Sequence, residues 1–267
     1  MRSLLFTLLL LSTPLAVPAN AGAFDDFSKG IEANNRGQAG LAEFHFTEAL
    51  GSSALAPSYR PAAFLGRARA FLHERRCLEA EKDLTQALAL KPNFIDAYTL
   101  RAETNHCLGL SSSALADASS ALTLKPAAGP YYTRSRLNWG VGAFGNAHDD
   151  AVAAVARDPD NAYFSLWAAV TALRVGVPVE KTEYATRASW PGPLMQLFQG
   201  TTTAEAALKA ADGNAEKLCE ADFYIGQWQL SQGRNEEARH LFQRAQDECP
   251  RDFVAFEAAS VELKRLP

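Results

Sequence analysis

Cysteine and histidine are the residue types best equipped for chemistry in this 267-residue chain, which has four of the first and five of the second. His73, Cys77, His106 and Cys107 together offer two imidazoles and two thiols, the donor set that zinc takes in a tetrahedron. His73 and Cys77 are also one helical turn apart, but the spacing matches no known zinc pattern. The thiols can oxidise instead, and Cys77, Cys107, Cys219 and Cys249 allow three pairings. His45, His148 and His240 are scattered and read as surface residues. The acid pairs Asp25-Asp26, Asp149-Asp150 and Glu236-Glu237 fall at helix starts or on helix faces, where the helix dipole and capping explain them. Gly140-Val-Gly142-Ala-Phe-Gly145 has dinucleotide-loop spacing but does not follow a strand. There is no phosphate-binding Gly-Lys loop, no His-Glu-x-x-His and no Gly-x-Ser-x-Gly. The chain therefore reads as a non-enzyme that needs no cofactor and no metal.

Which cysteines meet depends on the elements that carry them, and these follow from an internal period. Arg67, Arg101 and Arg134 are 34 and then 33 residues apart, and so are Ala80, Ala114 and Ala147, Asp83, Asp117 and Asp150, and Ala87, Ala121 and Ala154. Pro92, Pro126 and Pro159 close the three units, each where a second helix must end. Small residues recur where two helices have to approach closely. This pattern resembles the tetratricopeptide repeat (TPR), whose period of about 34 residues encodes two antiparallel helices. The resemblance implies an all-α solenoid, a right-handed superhelix of helix-turn-helix units. Gly30, Ala42, Phe46 and Ala49 fit a looser unit before the three. Gly226, Gly233, Ala238, Phe242, Ala245 and Pro250 fit another after them. Between lies a helix over 161–175 with Phe164, Trp167 and Val170 on its apolar face. Val177-Pro178 and Trp190-Pro191-Gly192-Pro193 break up its partner. A last helix over 253–263 is expected to cap the array.

The repeat register selects one disulfide pairing. Cys77 starts a second helix and Cys107 ends the next first helix, at the same end of the stack. Cys219 opens the last repeat and Cys249 closes it. Cys77–Cys107 and Cys219–Cys249 are therefore predicted, with the Cys/His metal cluster as the alternative. The recurring Arg and Asp read as a ladder of ion pairs that sets register, contributing little if exposed.

Arg2, the apolar run from Leu4 to Leu11, Pro14 and Pro18, and Ala19-Asn20-Ala21 have the layout of a secretory leader. The apolar run is far shorter than the ~20 residues a membrane span needs. The organisation expected is a leader over 1–21, a TPR array over 22–175, a degenerate repeat and connector over 176–217, and a terminal TPR with its cap over 218–267. A formal charge of −4, without a basic cluster, argues against nucleic acid as a partner.

In a TPR superhelix the first helices line the concave groove, where ligands usually bind. By register the groove carries Arg69 and His73, Glu103 and His106, then Tyr132, Arg136 and Trp139. The Lys and Asn set of the chaperone-binding TPR clamp is absent. The segment from Trp190 to Leu266 is similar to the C-terminal part of bacterial NlpI-like TPR lipoproteins, through Leu197-Phe-Gln-Gly200, Leu218 to Gly226, Glu237 to Phe242 and the run 252–257. That resemblance implies a non-catalytic periplasmic adaptor that holds protein partners such as peptidoglycan hydrolases or a periplasmic protease. The lipid-bearing cysteine of those proteins is missing, so no stable membrane anchor is expected. The other reading is a periplasmic carrier or sensor that takes a small ligand or cell-wall fragment in the groove.

Overall fold

The computed structural model describes residues 19–182, 189–251 and 253–266. The predicted leader over 1–21 lies outside them except for its last three residues, which open the first helix. Five helix pairs follow the predicted register. They are α1 (Ala19–Asn35) with α2 (Ala39–Gly51), α3 (Arg60–His73) with α4 (Cys77–Leu90), α5 (Ile95–Cys107) with α6 (Ser111–Leu124), α7 (Ala128–Val141) with α8 (Phe144–Val155), and α12 (Ala215–Ser231) with α13 (Asn235–Glu248). No strand occurs among the described residues. Gly140 to Gly145 spans the turn from α7 to α8, which rules out a strand-borne phosphate loop there.

α9 (Ala162–Val175) stacks on α8 as a first helix should, and among the described residues no regular second helix pairs with it before Gly192. Its start is set locally: the Asn161 side chain accepts hydrogen bonds from the Tyr163 and Phe164 backbone N–H groups. Two short helices, α10 (Gly192–Phe198) and α11 (Ala204–Lys209), stand in the connector, and α12 packs directly against α9. The last helix, α14 (Val254–Leu263), packs on α13 and α12 as a cap should, and also reaches back to α7.

Small residues let the helices close up. Alanines dominate the buried positions of the regular units, with Ala80, Ala114 and Ala147 all fully buried. The Phe46 ring lies against Gly30 and Gly66. A Cβ on Gly30 would come within 2.9 Å of that ring, and one on Gly66 closer still. Phe242 fills the same role against Gly226 in the last unit. From α7 onward the core becomes aromatic: Trp139, Trp167, Phe223 and Phe242 form one continuous cluster.

The recurring Arg and Asp form the ladder of inter-helix ion pairs expected from sequence, and their carboxylate ends are not exposed. Each rung lies within one unit, joining its first helix to its second. Arg67 donates from Nε and Nη2 to Asp83 at 2.7 and 2.8 Å, Arg101 to Asp117 at 2.9 and 2.7 Å, and Arg134 to Asp150 at 2.8 and 2.7 Å. The three carboxylates are buried. Asn105 and Asn138 each add a donor to the rung of their own unit. The terminal unit inverts the polarity, with buried Asp222 on α12 facing Arg244 on α13 at 2.9 Å. Burial holds the Asp222 carboxyl up at about 6, against the opposing pull of Arg244.

Both predicted cysteine pairs are joined, with Cα atoms 6.2 Å apart for Cys77–Cys107 and 5.1 Å for Cys219–Cys249. The bonded sulfurs displace the Cys/His metal alternative, and no metal-holding cluster exists among the described residues. Two histidines are also not the surface residues expected. His45 pairs with Asp26 at 3.0 Å and His148 with Thr171 at 3.1 Å, each half-buried, whereas His240 is exposed. Asp150, one of the Asp149-Asp150 pair explained from sequence by the helix dipole and capping, is buried in its rung. No described helix is long and apolar enough to cross a membrane.

Candidate ligand-binding groove

The concave face gathers one side of α3, α5 and α7 with α14 lying across it, and together they enclose a cavity of about 350 Å³. No residue of α4, α6 or α8 lines it. Six of the seven groove residues expected from sequence stand around this one space: Arg69, His73, Glu103, His106, Arg136 and Trp139. The repeat explains the convergence, since each unit offers the same face of its first helix at the same depth.

Their exposure separates a mouth from a floor. Arg69 and His73 are exposed, whereas Glu103, His106 and Arg136 are half-buried. Trp139 is only 1% exposed. It packs against Phe144 and Trp167, so it forms the rear wall of the cavity rather than an open contact. The indole N–H of Trp139 has no hydrogen-bond partner among the described residues. Tyr132 does not line the cavity. It packs against Phe164 and Trp167 with ring centroids 5.0 and 6.2 Å away.

α14 supplies the charge that sequence reasoning missed. Glu257 accepts from Arg136 at 2.7 Å across 121 residues of chain. Arg265 donates to the Trp139 and Gly140 carbonyls at 3.1 and 3.0 Å, at the C-terminal end of α7. Glu262, fully buried, lies 3.3 Å from Arg174 and 3.7 Å from Arg265. A polar latch therefore holds the last helix against α7 and α9, alongside its apolar packing on α12 and α13.

The latch and the cavity perturb their own groups. Burial pushes the Glu103 carboxyl up, Arg136 opposes the shift and Glu257 adds to it. For Arg136 burial works against the charge, but Glu257, Tyr132 and Glu103 outweigh it and hold the guanidinium more firmly protonated. Burial raises the Glu262 carboxyl and lowers the Arg265 guanidinium. The arrangement also places the Thr133 hydroxyl 3.4 Å from the Glu103 carboxylate, to which it donates. It offers an apolar-floored, charge-lined recess suited to holding a ligand.

Arg75 was also missed. It lines the cavity mouth from the turn between α3 and α4, and it carried one sequence signal. Residues one period later, Gly109 and Gly142, are glycines at the same turn. Glu257 carried none, because nothing local ties residue 257 to residue 136.

No family model matches the sequence. Among solved structures, a tetratricopeptide repeat protein from Parabacteroides merdae is similar, with 16% identity, a TM-score of 0.55, and coverage of 90% of this chain and 98% of that one. A thermophilic TPR protein of Thermus thermophilus is similar over 90% of this chain and 99% of its own, at 17% identity and a TM-score of 0.48. Helix pairing at a 34-residue period, small residues at the close approaches and the likeness to the Parabacteroides structure agree: this chain has the tetratricopeptide-repeat fold.

Proposed function

We propose that this chain is a non-catalytic binding scaffold, exported to the periplasm, that takes a protein partner on the concave face of its regular repeats. The observation that carries this reading is convergence. Side chains that differ from unit to unit (Arg69 and His73, Glu103 and His106, Arg136 and Trp139) meet around one cavity, while the residues that repeat are consumed in rungs and close packing. Two disulfides suit an oxidising compartment, which supports export. Peptidoglycan hydrolases or a periplasmic protease are the partner classes put forward, on the sequence resemblance to NlpI-like adaptors. The second reading, a carrier or sensor for a small ligand or cell-wall fragment, is favoured by one observation. α14 narrows the groove to about 350 Å³, the scale of a small-molecule pocket.

The test is partner capture from periplasmic extract, read by mass spectrometry, with wild type beside Arg69→Ser/His73→Ser. Both side chains are exposed, so the double variant should melt as wild type does. At least a tenfold loss of the captured proteins supports the scaffold. Equal capture by the variant contradicts it.

A further inference from the structure

The turns that end the first helices differ at one place. In six of them a residue one or two positions past the helix has positive φ, and the next N–H donates to the carbonyl five residues back. The Arg76 N–H reaches the Phe71 carbonyl at 2.8 Å, as the Leu110 N–H reaches that of Asn105 and the Ala143 N–H that of Asn138 at 2.9 Å. Five of these positions are glycine: Gly37, Gly109, Gly142, Gly176 and Gly233, at φ between 69° and 85°. The sixth is Arg75, at φ 62°. Left-handed backbone is unfavourable for a residue with a Cβ, and strain of this kind gathers at functional positions. The fold asks for glycine there, and the side chain found instead lines the cavity mouth.

Arg75 has company. Arg69 lines the same cavity, and among the described residues neither guanidinium has an ion pair or a side-chain hydrogen bond, whereas Arg136 is already held by Glu257. Three guanidiniums thus face two carboxylates, Glu103 and Glu257, leaving the space with an excess positive charge at its open end. The floor is apolar, built from Leu72, Leu100, Leu137, Val254 and Val261. We propose that the cavity beneath α14 binds a small amphipathic monoanion: a single carboxylate at Arg69 and Arg75, with its apolar body against the leucine and valine floor. This deepens the concave-face reading and rests on it. The same chemistry comes from two sources, the free C-terminus of an apolar peptide or a medium-chain fatty acid.

Titration calorimetry on the purified protein tests the proposal with four probes: an Ala-Leu-Leu peptide, its C-terminal amide, octanoate and octanol. At least one acid should bind, and at least tenfold more tightly than its uncharged counterpart. Binding of the peptide acid alone identifies a peptide terminus as the source, and binding of octanoate alone identifies an acyl acid. Arg75→Gly should melt at or above the wild-type temperature, since it restores the residue the turn prefers, yet bind the acid at least tenfold more weakly. Arg69→Gln should show the same loss of binding. Acids and neutral counterparts binding alike, wild-type binding by Arg75→Gly, or no binding by either acid would overturn the proposal. Should that happen while protein capture still depends on Arg69 and His73, the scaffold reading stands and this inference alone falls.

Discussion

Arg101→Ala is expected to destabilise the protein by about 2 kcal/mol. Arg101 holds Asp117 through two N–H donors, and the carboxylate side chain is only 10% exposed. Removing the guanidinium leaves a buried charge with Asn105 Nδ2, at 2.9 Å, as its remaining side-chain donor. Breaking a well-buried pair costs about 3–5 kcal/mol. The value here is lower because the Arg101 side chain is 23% exposed, so water can follow it in. Arg101→Leu/Asp117→Leu removes both charges and should cost less than the two single changes together. Urea unfolding of the three variants measures this. A midpoint for Arg101→Ala equal to wild type, or a double variant as costly as the sum, would show that the rung does not support the fold.

A larger loss, about 3.5 kcal/mol by loop entropy, is expected on replacing Cys219 and Cys249 together by alanine. The bond closes a separation of 30 residues and ties the start of α12 to the end of α13. Cys219 is fully buried, within the aromatic cluster that includes Phe223 and Phe242. α14 begins a few residues beyond Cys249, so the same bond steadies the helix that roofs the cavity. The double variant should unfold at lower urea, and its α14 amides should exchange faster than those of α3 to α6. Unchanged stability and unchanged exchange would mean that packing alone positions the terminal unit.

Features governed by local spacing were legible in the sequence. The helix pairs, the turn between Gly140 and Gly145 and both cysteine pairings follow from a 34-residue register, because each repeat solves the same packing problem with the same small residues. The rung partners were legible too, as recurring Arg and Asp. Their burial was not, because a period reports position and leaves depth unsaid. Register alone places Arg69, Glu103 and Arg136 on one face, and they line one cavity. Sequence expectation and cavity part where the array departs from repetition. Trp139 lines the cavity but is buried against Trp167 of α9, and Tyr132 packs onto Phe164 and Trp167 of the same helix instead of lining the cavity. Glu257 and Arg265 reach the groove only because α14 folds back onto α7, a long-range docking that no local pattern encodes. Arg75 was visible as a break in a run of glycines, once those turns are recognised as equivalent.

The central claim is that ligands engage the concave face. Hydrogen exchange of the protein alone and with a captured partner tests it most directly. Slowed exchange in α3, α5, α7 and α14, with α4, α6 and α8 unchanged, is the result this account predicts. Protection confined to α4, α6 and α8, with the cavity-lining helices exchanging as in the free protein, would contradict it.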